Sequence, residues 1–218
     1  NNGFTTIDSS KFKSGSTPKT RIFNASNSIL KWVTPTNISD EGFYNPTENI
    51  SMPSSYNLLS DCILFINRTS KGKKGEYVGI TCFYDTAYYG LGHHNQGLYR
   101  VEHLPKNEML FITAFMNSRI VRKICGNVSI GSKMKEMKSY DFSKLKLPNF
   151  DDNLKLKIGS KYYKVIDKEI FDFDTFLVKE KVRNQKSGIF QLNLEILEAK
   201  KELKAMLNKI ITEEPIAL

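Results

Sequence analysis

A histidine-containing polar segment between glycines is the first candidate for chemistry in this sequence. His93-His94-Asn95-Gln96 lies within Gly90–Gly97, a pattern typical of an exposed loop. Asn and Gln side chains can pair bidentately with adenine, whereas histidine can also bind zinc. No Cys, Asp or Glu stands at ligand spacing nearby, so base reading is favoured over a metal site. Gln96 could instead satisfy backbone groups at the start of the next strand.

Acidic residues give only incomplete catalytic patterns. A metal-dependent nuclease needs an aspartate followed by an acidic-x-Lys strand. Glu136-Met137-Lys138 fits the second half, but the nearest upstream aspartate, Asp85, is 51 residues away. Asn45–Glu48 departs at two positions from the Asn/Asp-Pro-Pro-aromatic motif that a DNA methyltransferase requires. We therefore expect no catalytic residues, no cofactor and no bound metal, with a metal-dependent nuclease as the less favoured alternative.

Positive charge is concentrated in the first part of the chain. The 218 residues have a net charge of +9, and from Lys186 to Leu218 five Lys balance five Glu. Residues 1–185 therefore carry the whole excess, which favours a polyanionic partner for this part. A non-catalytic scaffold protein is the competing class, but a scaffold has no need for such a concentration of charge.

Three groups of basic residues are candidates for phosphate contacts, although any one lysine could be simply solvated. They are Lys13, Lys19, Arg21 and Lys31; then Arg68, Lys71, Lys73 and Lys74 in a glycine-punctuated loop; then Arg119, Arg122, Lys123, Lys133, Lys135 and Lys138. Polar loop residues are the candidates for base edges. They are Ser14, Ser16, Thr17, His93, His94, Asn95 and Gln96.

Hydrophobic patterning predicts a mixed α/β domain. Apolar runs at 29–33 and 61–66 indicate buried strands, and Tyr77–Tyr84 and Leu98–Val101 indicate further strands. One helix is predicted from about Asn107 to Cys125, ended by Gly126, with Ile120 on its buried side.

The C-terminal region has the clearest periodicity. Apolar residues recur at intervals of three and four, which predicts a coiled-coil-like helix at about 188–212. Leu194, Leu197 and Leu207 widen the apolar face, so packing on its own domain is the alternative. The candidates for a partner interface are Leu192, Ile196, Leu203, Met206 and Ile210.

Cysteine spacing and hydropathy concern the cellular compartment. Cys62, Cys82 and Cys125 have no metal-ligand spacing, so we expect buried, reduced thiols in a cytoplasmic protein. No apolar run approaches the roughly 20 residues of a membrane span, and no signal-peptide pattern opens the chain. The first residue is Asn1 rather than Met, which fits a fragment of a longer protein.

The order of several short motifs resembles one protein family. Ser14-Gly15-Ser16-Thr17-Pro18, followed by Leu30–Pro35, is similar to the opening of target-recognition domains in type I restriction–modification specificity subunits, which have a Ser-Gly-Gly-Thr-Pro turn and then an aromatic-Ile-Thr-Pro strand. Later motifs follow in the family's order. They are Leu59–Phe65 for its Gly-Asp-Ile strand, Asn95–Arg100 for its Asn-Gln strand start, Phe115–Ser118 for its Leu-Asn-Ser helix, and Leu145–Pro148 for the strand before its spacer helix.

The resemblance spans nearly the whole chain and implies a DNA-specificity module without its own catalytic site. It implies a recognition domain with a twisted mixed sheet at 1–148, and a spacer region with a long helix at 149–218. The partners it implies are double-stranded DNA, an adenine methyltransferase subunit, restriction or translocase subunits, and a second recognition domain or copy paired through the helix.

The sequence also departs from the family's pattern. Ser16 replaces the second glycine of the turn, Ser60-Asp61 replaces Gly-Asp, and the Glu-Gln-Ile signature after the prolines is absent. A full specificity subunit usually carries two copies of the module, and only one is present here. The C-terminal recognition domain of a single-chain restriction–methylation enzyme is therefore an open alternative.

Overall fold

The structure is a computed structural model that describes residues 3–17, 19, 22–51, 57–58, 60–70, 77–164 and 175–211. At residues 57, 200, 202–204 and 206–211 it describes the backbone only. The chain divides into two compact units, residues 1–159 and 160–218. The functional boundary predicted at residue 148 stays a prediction.

Short strands and helices alternate along the first unit, and helices make up the second. The strands are β1 (Phe4–Thr5), β2 (Lys13–Ser14), β3 (Ile22–Phe23), β4 (Leu30–Val33), β5 (Asn49–Ser51), β6 (Asn57–Leu58), β7 (Cys62–Ile66), β8 (Arg68–Thr69), β9 (Thr81–Tyr84), β10 (Gly92–His94), β11 (Leu98–Glu102), β12 (Lys135–Glu136) and β13 (Leu147–Pro148). The helices are α1 (Thr86–Tyr89), α2 (Lys106–Met116), α3 (Arg119–Val128), α4 (Ser139–Phe142), α5 (Asp152–Tyr162), α6 (Phe176–Lys186) and α7 (Ile189–Ile211), with 3₁₀ turns at Ser9–Lys11 and Pro35–Asn37. The predicted mixed α/β class with a long C-terminal helix is confirmed.

The core of the first unit is an antiparallel sheet in the order β2-β11-β7-β9. All five residues of β7 are buried, as its continuous apolar run predicts, because β7 lies between β11 and β9 and α2 packs over β7 and β9. The Phe12 ring packs edge-on against Phe65, with centroids 5.2 Å apart, and stacks on Phe142 at 5.6 Å. These contacts fix β2 and the turn that follows it against the sheet.

A second sheet has the order β3-β5-β4-β10-β6, in which β4 and β10 run parallel. The loop predicted at Gly90–Gly97 is therefore wrong for Gly92–His94, which form β10. In register, His93 lies beside Trp32, which precedes it by 61 residues. Glycines and polar residues predict a loop locally, but this long-range pairing satisfies the backbone groups of β10.

The single helix predicted at 107–125 is two helices. It is interrupted at Asn117-Ser118, because the Asn117 amide bonds both backbone groups of Thr81 in β9. Its Oδ1 accepts from Thr81 N at 3.0 Å, and its Nδ2 donates to Thr81 O at 2.6 Å. α3 is a separate helix with its own buried side: Val121 and Cys125 are buried, whereas Ile120, predicted to be buried, is 74% exposed.

The second unit is held together by one buried arginine between two helices. Arg183 in α6 is bonded to Glu180 at 2.8 Å and to Glu195 in α7 at 2.6 Å. Both carboxylates raise the pKa of Arg183, with Glu195 the larger cause. The Tyr163 and Phe190 rings stack with centroids 4.5 Å apart, so α7 is fixed at its start by an ionic and an aromatic contact.

The long helix predicted at about 188–212 is confirmed as α7. Leu192 is half-buried, whereas Ile196 is 52% exposed. The side chains of Leu203, Met206 and Ile210 lie outside the described part of the structure. None of the helices in the described ranges is both long and apolar enough to cross a membrane.

Candidate nucleic-acid interface

Segments that are far apart in sequence meet in one surface region of the first unit, which we call the loop cluster. Its segments are Gly15–Thr17, Thr34–Asn37, Asn67–Ser70, Asn95–Gly97 and Lys133–Lys138. The carbonyl of Gly97 accepts from Asn67 N at 3.1 Å and from Arg68 N at 3.3 Å. β8 and β12 pair within the cluster, with Thr69 opposite Lys135. The backbone thus fixes the relative positions of these loops.

The turn Asn95–Gly97 carries one of the exposed candidates for reading bases, Gln96. Asn95 Oδ1 accepts from Gly97 N at 2.9 Å, and Asn95 N donates to Val33 O at 3.0 Å. The Asn95 side chain therefore holds its own turn closed, as asparagine often does. Gln96 is exposed between them, at the tip of the turn.

The turn Gly15–Thr17 is anchored on the end of β10. Ser16 N donates to His94 O at 3.1 Å, and Gly15 N donates to Leu98 O at 3.4 Å. A Cβ at Gly15 would overlap the carbonyl oxygens of His94 and Asn95, so only glycine allows this close approach. Thr17 follows this anchored segment with its side chain exposed.

Both histidines predicted to read bases are buried, with 0% of His93 and 1% of His94 exposed. The His93 ring stacks on Trp32, and its Nε2 lies 3.2 Å from Ser16 Oγ. Burial lowers the pKa of His93 below its ordinary value and that of His94 to about 3. Both rings are therefore neutral at neutral pH and have an internal position from which neither reaches a base.

Basic side chains lie in two of the cluster's segments. Arg68 in β8 and Lys135 in β12 are half-buried, and these two strands are paired. Lys133 is exposed two residues before β12 begins. Lys138 donates to Glu136 at 2.7 Å, and this bond raises the pKa of Lys138. The cluster therefore combines polar turns with a cationic rim.

The other predicted contacts lie outside the five segments of the loop cluster or outside the described part of the chain. Lys31 is half-buried in β4, in register with Gly92 and Asn49. Arg119 is exposed at the start of α3, and Lys19 and Ser14 are exposed next to the Gly15–Thr17 turn. Four predicted residues fall outside the described part of the chain. They are Arg21, Lys71, Lys73 and Lys74.

The carboxylate of Asp85 and the buried thiols are not in arrangements that suit catalysis. Asp85 caps α1, accepting from Ala87 N at 3.0 Å and from Tyr88 N at 3.2 Å. Burial raises the pKa of the thiols of Cys82 and Cys125 to about 12, which disfavours the reactive thiolate. Within the described residues, no group of three or more His, Cys, Asp or Glu side chains is arranged to hold a metal ion.

Two features of this region were not predicted from the sequence, one in the loop cluster and one beneath it in the sheet. Gly97 packs closely on Pro35, since a Cβ at Gly97 would lie only 2.8 Å from Pro35 Cγ. The 3₁₀ turn Pro35–Asn37 therefore brings exposed Thr36 into the loop cluster. Thr34-Pro35 is a signal for such a turn, since threonine and then proline favour the start of a helical turn. The role of Trp32 as the stacking partner of His93 has no local signal, because it depends on the β4–β10 pairing.

Comparison with known proteins gives similarity in structure only. No protein-family model matches the chain, and no curated protein matches its sequence. A chain in a structure concerning complex assembly and conformational transition of the type I R-M system has a TM-score of 0.53 and 14% identity, over 95% of this chain and 45% of that chain.

Two further solved structures are similar to this chain. The HsdS subunit from Thermoanaerobacter tengcongensis has a TM-score of 0.49 and 12% identity, over 95% of this chain and 44% of that one. The type I restriction-modification system S subunit from M. genitalium has a TM-score of 0.44 and 14% identity, over 73% and 38%. This chain thus spans less than half the length of the chain that it matches in the first structure, and its resemblance to the type I restriction–modification system is confirmed at the level of the fold.

Proposed function

We propose that residues 1–148 bind duplex DNA and read a short sequence through the loop cluster. The observation that carries this proposal is the cluster itself, in which backbone hydrogen bonds hold exposed polar side chains beside cations. DNA readers need both kinds of group, because cations at phosphates supply affinity and polar side chains at base edges supply specificity.

Phosphate contacts are assigned to the cationic residues in and around the cluster. Arg68, Lys133 and Lys135 lie in it, and Lys71, Lys73 and Lys74 directly follow its segment Asn67–Ser70 in the sequence. Lys19, Arg21, Lys31 and Arg119 are assigned further phosphate contacts in this proposal. Each phosphate contact releases bound counterions, so the affinity depends on salt.

Base contacts are assigned to exposed polar residues on the turns. Gln96 is the principal candidate because its side chain is exposed at the tip of a turn that Asn95 holds closed. Ser14 and Thr17 are exposed beside the Gly15–Ser16 anchor. A turn that hydrogen bonds already hold in one conformation suits base reading, because little conformational entropy is lost when it binds DNA.

The spacer region is proposed to attach this reader to an enzyme. α7 carries the apolar seam with Leu192 and Ile196, and Ile196 is exposed in the second unit. Pairing with a methyltransferase subunit, or with a second recognition domain, would cover this face. The module would thereby direct an adenine methyltransferase or restriction complex in the cytoplasm to its target, without chemistry of its own.

Equilibrium binding of the full chain to duplex DNA at two salt concentrations tests the proposal. With about six phosphate contacts, the affinity should fall roughly a thousandfold between about 50 and 200 mM salt. A chain that binds no duplex at low salt, or whose affinity is insensitive to salt, would refute the DNA-binding function.

A further inference from the structure

We infer that His93 is a positioning residue for DNA recognition: it holds Ser16 so that the serine hydroxyl donates a hydrogen bond to an acceptor atom of the duplex. This inference rests on the proposed function and deepens it, because it names the hydrogen-bonding role of one side chain in the loop cluster. His93 is in contact with Ser16 O, Ser16 Oγ and Trp32.

The contacts with Ser16 fix the tautomer of the imidazole. His93 Nε2 lies 3.2 Å from the carbonyl oxygen of Ser16 and also 3.2 Å from its Oγ. A carbonyl oxygen only accepts hydrogen bonds, so the contact with Ser16 O assigns the proton to Nε2. Ser16 Oγ then faces an N–H rather than a lone pair, and the Ser16 hydroxyl proton does not point to the ring.

The ring is held in this orientation by the sheet. Trp32 stacks on it with centroids 5.6 Å apart and planes inclined by 14°. Both residues are in register on the paired strands β4 and β10, and His93 is fully buried. Tilting of the imidazole would break the stack on Trp32, and a flip about Cβ–Cγ would break the contacts with Ser16, so the two sets of contacts together preorganise the donor at Nε2.

The Ser16 turn is fixed from its backbone as well. Ser16 N donates to His94 O at 3.1 Å, and Gly15 packs directly on the end of β10. Ser16 is half-buried, and the next residue, Thr17, is exposed. The Ser16 hydroxyl oxygen thus lies against His93 Nε2 in a half-buried residue next to exposed Thr17, and in this inference its proton is donated to a ligand.

The chemistry of this ligand is that of a hydrogen-bond acceptor. In duplex DNA such acceptors are phosphate oxygens and the major-groove atoms of bases, such as guanine O6 and N7. The two sources differ in one observable property. A contact with phosphate strengthens the binding of every sequence, whereas a contact with a base strengthens the binding of some sequences only.

The test uses the full chain and a double-mutant cycle. Ser16→Ala and His93→Phe should each weaken duplex binding about tenfold, since the phenyl ring keeps the stack on Trp32 but has no N–H. The double variant should bind no more weakly than either single variant, because both changes remove the same hydrogen bond. Ser16→Thr, which keeps a hydroxyl, should bind more tightly than Ser16→Ala. His93→Gln, which keeps an N–H donor, should bind more tightly than His93→Phe. The probes are a duplex that the wild-type chain selects from a random-sequence pool and a random duplex. Equal losses on both assign the acceptor to phosphate, and losses confined to the selected duplex assign it to a base.

A DNA-free measurement makes the result independent of binding. The ¹⁵N chemical shifts of the His93 ring should report the neutral form protonated at Nε2, and emission of Trp32, which is the single tryptophan in the sequence, should report that each variant is folded. If His93→Phe fails to fold, Ser16→Ala and Ser16→Thr still decide the role of the hydroxyl.

Two different failures can be told apart. If the wild-type chain binds no duplex, both the proposed function and this inference are overturned. If the wild-type chain binds but a proton is found on Nδ1, or the two substitutions are additive or without effect, the DNA-binding function stands and the role of His93 is wrong.

Discussion

The imidazole of His93 lies parallel to the indole of Trp32, with ring centroids 5.6 Å apart and an interplanar angle of 14°. The two rings belong to parallel strands whose pairing closes a long loop in the chain. Because the turn Gly15–Thr17 and the turn Asn95–Gly97 are both bonded to the ends of these strands, the stack forms a rigid base for two of the loops assigned to DNA. Trp32 and His93 are thus buried support, whereas Thr17 and Gln96 are exposed on the two turns.

Arg68→Gln should weaken binding to all duplexes by a similar factor. Arg68 lies in β8 within the cationic rim, and a phosphate contact carries no sequence information. The slope of log affinity against log salt should become less steep by about one. A salt titration by fluorescence anisotropy measures this slope. Lys161→Gln removes an exposed charge of α5 outside the cluster and should leave the slope unchanged.

Gln96→Ala should change which sequences are preferred without lowering stability, because its side chain is exposed. Asn95→Ala should instead destabilise the domain by about 1 kcal/mol, since Asn95 Oδ1 accepts from Gly97 N. Binding to a panel of duplexes and urea unfolding separate the two effects. Uniform losses of affinity for Gln96→Ala across the panel would contradict its role in base reading.

Stability should fall as the pH decreases below about 6.5, in part because of His94. Burial holds its folded-state pKa at about 3, whereas in the unfolded chain the pKa is near 6.5. Between these values the unfolded chain binds one more proton, so each pH unit of acidification costs up to about 1.4 kcal/mol. Urea unfolding at a series of pH values measures this slope, which His94→Asn should flatten.

His103 provides the matched control for the pH series. Its side chain is 82% exposed, and asparagine tolerates its positive φ of 62°. His103→Asn should keep the pH dependence of the wild type. If His94→Asn also keeps the pH dependence of the wild type, proton uptake by His94 on unfolding is not its cause.

Ile196→Asp should abolish association through α7 while leaving duplex binding by the first unit intact. Ile196 is on the apolar seam and 52% exposed, so a charge there disrupts a paired interface more than the isolated helix. Sedimentation velocity measures association with a second copy or with an added methyltransferase subunit. Lys201→Asp places the same residue at another exposed position of α7 and should leave association unchanged.

The elements predicted correctly from sequence are those with strong local patterns. The buried strand β7 follows from a continuous apolar run, and α7 from its regular apolar spacing. A strand buried on both faces is apolar throughout, and a helix with one apolar face repeats its apolar residues every three or four positions. Both patterns can be read from neighbouring residues alone.

The elements predicted incorrectly depend on contacts between distant residues. The break before α3 follows from the bonds of Asn117 to Thr81, which is 36 residues away. β10 contains glycine and two histidines, residues with no strong preference for strands, and it is a strand because β4 and β6 pair with it. The same pairing buries His93 and His94, so their interpretation as base readers could not be corrected from the sequence alone.

Selection from a random duplex pool shows directly whether this chain reads DNA sequence. The full chain would be incubated at moderate salt with a random-sequence pool, and retained duplexes sequenced over successive rounds. The account predicts enrichment of one short consensus, lost or altered in Gln96→Ala and retained at lower affinity in Arg68→Gln. Retained duplexes that stay random in sequence after repeated rounds would contradict the claim that this chain reads DNA sequence.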